Sequence, residues 1–284
     1  MSKWIAAGAL LLFACTRHDT VVVGSKNFTE SVLLGEIIAQ RLEKAGCAVE
    51  RKLDLGGTLV CDRAIVAGAL DVYPEYSGTA LAAVLHAPTN RPAASVSEFV
   101  TRSYERRGLQ WGPALGFENT FAMIVRRDDA LRRSLRNISD LKRVESVFRP
   151  GFGYEFNERP DGWGGLQKHY GLAFAQPPRT MDLGLTYRAL AAGQVDLIAG
   201  NSTDGLIDAL GLEVLRDDLR FFPPYDAAIV SRSDLGAKCA AGPAALASLA
   251  GSISAGEMRK LNYAVDGEHR RLAEVAARFL ASRR

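Results

Sequence analysis

The chain has 284 residues, of which 48% are hydrophobic and 24% charged, a globular composition with room for two modest lobes or one large domain. The formal net charge is only +3, and the arginine-rich stretches recur at the spacing of solvated helix faces. The sequence has no basic tract of the kind that nucleic-acid binding requires. The composition therefore indicates a folded protein that does not bind nucleic acid.

The N-terminus has the pattern of an export signal. One cation, Lys3, precedes an apolar run over 4–14 that is too short to span a bilayer as a helix but suits a signal peptide. The run ends in Leu-Phe-Ala-Cys, which is similar to a bacterial lipobox and predicts removal of residues 1–14, lipidation of Cys15 and a short linker over 15–20. The alternative is a plain secretory signal with an incidental cysteine. Both interpretations predict a periplasmic or cell-surface protein.

The strand and helix pattern begins after this segment. Residues 21–24 form a β-branched run closed by glycine, residues 32–45 are apolar at helical spacing, and residues 48–53 predict a second strand. Asn27 or Thr29 is the expected N-cap of the first helix, so anions are favoured at that helix end. The alternation of strands and helices predicts an α/β fold with a parallel sheet.

An internal repeat suggests two similar lobes. Residues 63–72 (RAIVAGALDV) are echoed about 125 positions later by residues 188–197 (RALAAGQVDL), and both predict a helix, a glycine stop and a strand. A polar loop is expected after each, over 73–79 and 201–205. Ligands of open α/β sheets bind at the carboxyl ends of strands, so a ligand between two hinged lobes is expected. The alternative is that the two segments are similar by chance, because a helix, a glycine and a strand in this order are common in α/β proteins.

The other cysteines, Cys47, Cys61 and Cys239, are scattered without the spacing of a metal site. We therefore expect neither a zinc site nor a disulfide-dense scaffold, and no metal or cofactor. A disulfide between Cys47 and Cys61 is left open.

Several short motifs occur in the order typical of one protein family. They lie at residues 25–30 (SKNFTE), 73–79 (YPEYSGT), 153–156 (GYEF), 159–162 (RPDG), 202–205 (STDG), 221–225 (FFPPY) and 261–263 (LNY). In these motifs the chain resembles the substrate-binding proteins of ABC importers for glycine betaine, choline and related osmoprotectants. The resemblance covers nearly the whole mature chain. It implies a two-lobed, type II periplasmic-binding-protein fold, with a first lobe of 20–117 completed by 222–284, a second lobe of 118–221, and a ligand cleft between them.

The resemblance also implies how the carboxylate of such a ligand is held. It assigns Lys26 and Thr79 of the first lobe and Arg159 of the second lobe to this carboxylate, so that donors close on it from opposite walls. The alternative is that Lys26 and Arg159 are surface charges paired with Glu30 or Asp161. Such exposed pairs contribute only about 0–1 kcal/mol.

A quaternary ammonium has no N–H group, so it is recognised by shape and by aromatic faces. The resemblance places Tyr76, Phe121 and Tyr225 in an aromatic cage, each ring contributing roughly 0.5–2 kcal/mol. Phe121 stands where relatives usually have Tyr, Asn119 where some have Asp, and Asn201 where another cage Tyr is common. The fourth wall is therefore missing or polar, and glycine betaine, proline betaine, choline and ergothioneine are all candidate ligands. Core packing is the alternative role of each aromatic ring.

Enzyme signatures are absent from the sequence. It has no GxSxG, HExxH or P-loop motif, and the histidines lie far apart, at positions 18, 86, 169 and 269. The alternative from another class is a hydrolase or transferase with Asp161, Asp204 or Glu155 as general base. A second alternative is a sensor that reports the ligand to a receptor. We expect a monomeric binding protein, not an enzyme, that delivers its ligand to an ABC permease and its ATPase.

Overall fold

A computed structural model describes residues 20–89 and 92–283. The expected signal peptide and the expected lipidation site, Cys15, lie outside these residues. The described chain folds into two α/β lobes, each built on a five-stranded sheet, which confirms the predicted fold class. Within the described ranges no helix is long and apolar enough to cross a membrane.

The elements follow in chain order. The strands are β1 (Val21–Gly24), β2 (Val49–Lys52), β3 (Val72–Tyr76), β4 (Leu109–Trp111), β5 (Phe121–Arg126), β6 (Pro150–Gly153), β7 (Arg179–Met181), β8 (Leu197–Asn201), β9 (Leu212–Leu215) and β10 (Ala227–Arg232). The α-helices are α1 (Thr29–Lys44), α2 (Thr58–Val66), α3 (Ser77–Thr79), α4 (Ala93–Glu105), α5 (Arg127–Arg133), α6 (Tyr154–Glu158), α7 (Trp163–Tyr170), α8 (Leu183–Ala191), α9 (Leu206–Ala209), α10 (Leu235–Lys238), α11 (Gly242–Ala247), α12 (Ala255–Asp266) and α13 (Leu272–Ala281). A π-helical turn, Ala80–Val84, extends α3, and a 3-10 helix spans Ile138–Arg143.

The two sheets have the same topology. Their strand orders are β2-β1-β3-β10-β4 and β7-β6-β8-β5-β9. The first three strands of each order pair in parallel, whereas β10 and β5 run antiparallel to both of their neighbours. The prediction of a parallel sheet is therefore wrong for these strands. The chain reaches β10 and β5 from the other lobe, so no βαβ crossover imposes a parallel direction on them.

The internal repeat corresponds to this shared topology. Its two copies cover α2 with β3 and α8 with β8, which hold equivalent places in the two sheets. Their aspartates act alike, since Asp71 accepts a hydrogen bond from the Val22 N–H at 2.8 Å and Asp196 accepts one from the Arg149 N–H at 3.1 Å. The prediction of a loop over 73–79 is wrong. The first half of this segment belongs to strand β3, because it pairs with β10.

The first helix begins earlier than the sequence predicts. Helix α1 starts at Thr29, and its N-cap residue is Phe28, which makes no side-chain cap. Neither expected cap acts as one. The Thr29 hydroxyl instead donates to Asp266 at 2.6 Å, a contact with α12 that the local sequence does not contain.

Each sheet has hydrophobic clusters on both faces. In the first lobe Val21 and Val23 pack with Leu34 of α1, whereas Val22 between them packs with the cluster that contains Ile65 of α2. Alternate residues of a strand point to opposite faces, which explains this division. Fully burying one such aliphatic side chain contributes about 1.5–3 kcal/mol.

The disulfide joins Cys47 to Cys239, with their Cα atoms 5.6 Å apart. The Cys47–Cys61 pairing that the sequence left open is therefore wrong. Cys61 is a buried free thiol. It belongs to the cluster on one face of the first sheet, whereas Cys47 belongs to the cluster on the opposite face, so the sheet separates the two thiols.

Two segments connect the lobes side by side. Glu118, before β5, forms an antiparallel bridge with Asp226, before β10. The Asn119 N–H donates to the Tyr225 carbonyl at 3.1 Å. The lobe boundaries expected at 117/118 and 221/222 stay a prediction.

Candidate ligand-binding site

A cavity of about 200 Å³ lies between the two lobes. All the residues that the sequence predicts as ligand contacts line it: Lys26, Tyr76, Thr79, Asn119, Phe121, Arg159, Asn201 and Tyr225. Lys26 follows β1, Tyr76 ends β3, and Asn201 ends β8. The cavity therefore lies at the carboxyl ends of strands from both sheets, where α/β folds bind ligands.

Lys26 is buried in the wall of the first lobe, with a relative exposure of 3%. Its Nζ donates to Glu75 Oε1 at 2.6 Å and lies 4.6 Å from the centroid of the Tyr76 ring. The alternative of an exposed pair with Glu30 is therefore wrong. Burial raises the pKa of Glu75, and the Lys26 ammonium beside it opposes that rise.

Arg159 reaches across the cleft from the second lobe. Its Nε and Nη2 donate to the two oxygens of Asp161 at 2.8 and 2.5 Å, and Nη1 and Nη2 each lie 3.2 Å from Thr79 Oγ1. The pair with Asp161 that the sequence suggested is present, but it is buried rather than on the surface, since Arg159 is 8% exposed. Because Thr79 accepts from Arg159, its own hydroxyl proton is available to a ligand oxygen.

The three predicted cage rings meet at the cavity, but two of them also contact protein cations. Phe121 lies edge-on to Tyr225 with centroids 6.1 Å apart, and the Arg159 guanidinium carbon is 4.8 Å from the Phe121 ring. Tyr225 is 1% exposed. It fits only because Gly78 has no side chain, since a Cβ at Gly78 would lie 2.7 Å from the ring. A ligand cation would therefore share the aromatic wall with Arg159 and Lys26.

The two predicted asparagines are held by acidic side chains, Glu30 and Asp204. Asn119 Nδ2 donates to Glu30 Oε1 at 2.8 Å. The Asn201 N–H donates to Asp204 Oδ2 at 2.9 Å, and the Tyr187 hydroxyl donates to the same oxygen. Burial raises the pKa of Asp204 to about 7. The Asn201 side chain is also oriented toward Asp204, since its Nδ2 lies 3.4 Å from both carboxylate oxygens.

Sequence reasoning missed several residues that line the cavity, and three have evident chemistry: Phe28, Glu155 and Asp182. Phe28 and Glu155 lie inside two of the family motifs, so the motifs themselves contained this signal. Asp182 is the N-cap of α8, just before the repeat, and accepts from the Gly184 N–H at 2.9 Å. An aspartate at the start of a helix is usually explained as an N-cap, so the sequence offered no separate reason to place Asp182 in the cavity.

Glu155 joins the lobes as well as lining the cavity. Its Oε1 accepts from the Thr58 N–H at 3.1 Å, in the first turn of α2. Burial raises the pKa of Glu155, but Arg159, Lys26 and the bonds from Thr58 lower it more, so the net pKa is below the usual range. With Asp182, the cavity wall thus contains two carboxylates and two cations. Within the ranges that the structure describes, no group of three or more His, Cys, Asp or Glu side chains could hold a metal ion.

Comparison with known proteins agrees with this geometry. Residues 19–282 match a family model described as the substrate binding domain of ABC-type glycine betaine transport system. The carnitine transport binding protein OpuCC of Listeria monocytogenes is 34% identical, over 98% of this chain and 94% of that protein. The ergothioneine transport permease/ergothioneine binding protein EgtU of Helicobacter pylori is 33% identical, over 92% of this chain and 47% of that protein.

A solved structure has the same fold. The crystal structure of a glycine betaine/carnitine/choline ABC transporter superposes with a TM-score of 0.77 at 29% identity, covering 92% of this chain and 98% of that chain. The family match extends over both sheets and over every residue that lines the cavity. The chain belongs to the family of substrate-binding domains of ABC-type glycine betaine transport systems.

Proposed function

We propose that this protein is the extracytoplasmic solute-binding component of an ABC importer, and that it captures a small zwitterion with a carboxylate and a quaternary ammonium. One observation supports this most directly. The cavity presents two cations, two carboxylates and a wall of aromatic rings to the same space between the lobes. A zwitterion is the ligand class whose two charges such a wall complements.

The ligand carboxylate would lie against Lys26, Thr79 and Arg159. Each cation already has a carboxylate behind it, Glu75 or Asp161, which fixes its position without using all of its N–H groups. The ammonium would lie toward the aromatic rings, where dispersion and π faces replace hydrogen bonds.

Contacts between the lobes suggest how capture and delivery work. Arg159 reaches Thr79, and Glu155 reaches the N-terminus of α2, so cleft walls from both lobes touch directly beside the cavity. A ligand that bridges Thr79 and Arg159 would favour the closed cleft, as in other hinged binding proteins. The closed form would then be delivered to the permease and its ATPase, with Cys15 as a lipid anchor.

A second candidate ligand is a larger betaine such as ergothioneine. A neighbouring cavity of about 420 Å³ shares Asn27, Phe28, Asp182, Leu183 and Asn201 with the first one. A ligand too large for the first cavity could extend into this space past Asn201. The name of the Helicobacter pylori relative agrees with this alternative.

We propose binding without turnover. Asp161, one candidate general base, has both oxygens bonded to Arg159 and also accepts from the Tyr225 hydroxyl at 2.5 Å. A carboxylate occupied in this way is not free to take a proton from a bound substrate.

Calorimetric titration of the purified protein tests this function. The panel is glycine betaine, proline betaine, carnitine, choline and ergothioneine, and thermal unfolding is followed in parallel. Ligand at 100 times its Kd should stabilise the native state by about 2.7 kcal/mol. The absence of heat and of stabilisation across the panel would refute the proposal, and recovery of a chemically altered ligand would refute the claim of binding without turnover.

A further inference from the structure

Glu30 is a buried carboxylate on α1, 1% exposed, that stands behind the cavity rather than in its lining. Its Oε1 accepts from the Tyr76 hydroxyl at 2.7 Å and from Asn119 Nδ2 at 2.8 Å. Its Oε2 accepts from Thr203 Oγ1 at 2.5 Å and from Asn262 Nδ2 at 2.9 Å. Four donors from four separate segments therefore converge on one carboxylate.

An ionised carboxylate can accept from all four of these donors. Its two oxygens are acceptors with about four lone-pair directions, whereas a glutamine in the same place would turn one acceptor into a donor. Burial raises the pKa of Glu30 above its usual value, although the hydrogen bonds from Thr203, Tyr76, Asn262 and Asn119 lower it in part. Charge-assisted hydrogen bonds of this kind are stronger than those between neutral groups.

One oxygen of Glu30 orients two residues of the cavity wall. Tyr76 and Asn119 both line the cavity. Asn119 is 6% exposed, and its Oδ1 is itself buried and has no hydrogen-bond partner among the described residues. Because Nδ2 is bound to Glu30, the amide cannot turn over without losing that bond. Asn119 is therefore fixed so that its free group is an acceptor.

The other oxygen of Glu30 joins the lobes. Thr203 lies in the turn after β8 of the second lobe, whereas Glu30 and Asn262 belong to helices packed in the first. Asn262 Nδ2 also donates to the Thr203 carbonyl at 2.9 Å, so Thr203 is held through both its side chain and its backbone. A single carboxylate thus contacts the cavity wall on one side and the opposite lobe on the other.

We infer that Glu30 is a positioning residue for the ligand cavity, which fixes the Asn119 amide in the cavity wall and ties this arrangement to contact between the lobes. The role rests on the proposed function.

The first test compares Glu30→Gln with Glu36→Gln, a matched control. Glu36 is a buried glutamate on the same helix, 5% exposed, but it is paired with Arg51 and Gln40. In ligand-free protein, NMR should show the Asn119 side-chain amide shifted and exchanging faster in Glu30→Gln only. Glycine betaine affinity should fall about tenfold or more in Glu30→Gln and change by less than about twofold in Glu36→Gln.

A second test exchanges the acid of Glu30 and the amide of Asn119. Asn119→Asp places another carboxylate against Glu30 and should weaken binding, whereas the double variant Glu30→Gln with Asn119→Asp restores one acid and one amide and should recover most of the loss. Thr203→Val removes only the hydroxyl bond from Thr203 to Glu30, so it should speed ligand release while leaving the Asn119 amide resonance unchanged.

The outcomes separate the two proposals. An Asn119 amide resonance that is the same in wild type and Glu30→Gln, or equal effects of Glu30→Gln and Glu36→Gln, would overturn the positioning role. Absence of recovery in the double variant would do so as well, and this result is available even when Glu30→Gln alone does not fold. A wild-type protein that binds no member of the panel would overturn the proposed function, while the amide resonance still decides the role of Glu30.

Discussion

Replacing Thr79 by valine tests the carboxylate side of the cavity most cleanly. Valine has nearly the same shape, so the change removes one hydroxyl and little volume. That hydroxyl is 3.2 Å from both Nη1 and Nη2 of Arg159, and the residue is 4% exposed in the wall of the cavity. The same hydroxyl would donate its proton to the ligand carboxylate, and a lost hydrogen bond to a charged group costs about 1.5–3 kcal/mol.

This cost converts to a loss of affinity for carboxylated ligands of about 10- to 150-fold. Choline has no carboxylate, so the Thr79→Val variant should bind it with little change. The unfolding free energy should also fall by about 1–3 kcal/mol, because Arg159 loses a buried partner. Isothermal titration with glycine betaine and choline on the same preparations measures the difference. Equal losses for the two ligands would refute the proposed carboxylate site, and so would an unchanged affinity for glycine betaine.

Two further predictions concern stability. Replacing Cys47 and Cys239 together by alanine should lower the unfolding free energy by about 2–5 kcal/mol, because their disulfide closes a loop with a sequence separation of 192. Identical denaturation curves of the wild-type protein with and without a reductant would contradict this prediction. For Asp204, burial raises the pKa from 3.8 to about 7, so its stabilising effect is complete below pH 3.8 and is lost as the pH rises through about 7. Thermal melts from pH 4 to 8 should show wild type losing stability relative to Asp204→Asn, and a constant difference between the two proteins would count against this prediction.

Local sequence determined much of the architecture. Hydrophobic periodicity and glycine stops located β1, α1, β2 and α2 to within a few residues, because burial of one face and the absence of a Cβ act over short distances. The repeat identified two lobes of equal topology for the same reason. The family resemblance then identified eight of the residues that line the cavity, although several others, among them Phe28, Glu155 and Asp182, were missed in this role.

Tertiary structure decided which charges and thiols became partners. Lys26 pairs with Glu75, not with Glu30 four residues away, because the parallel pairing of β1 with β3 brings Glu75 beside it. Glu30 meets instead Thr203 and Asn262, which are 173 and 232 positions away in sequence. Such contacts depend on the order of strands and on the approach of two lobes, which periodicity does not encode. The sequence by itself therefore determined the first elements, the two lobes and part of the cavity wall, whereas the strand directions and the network that holds the wall in place were decided by the fold.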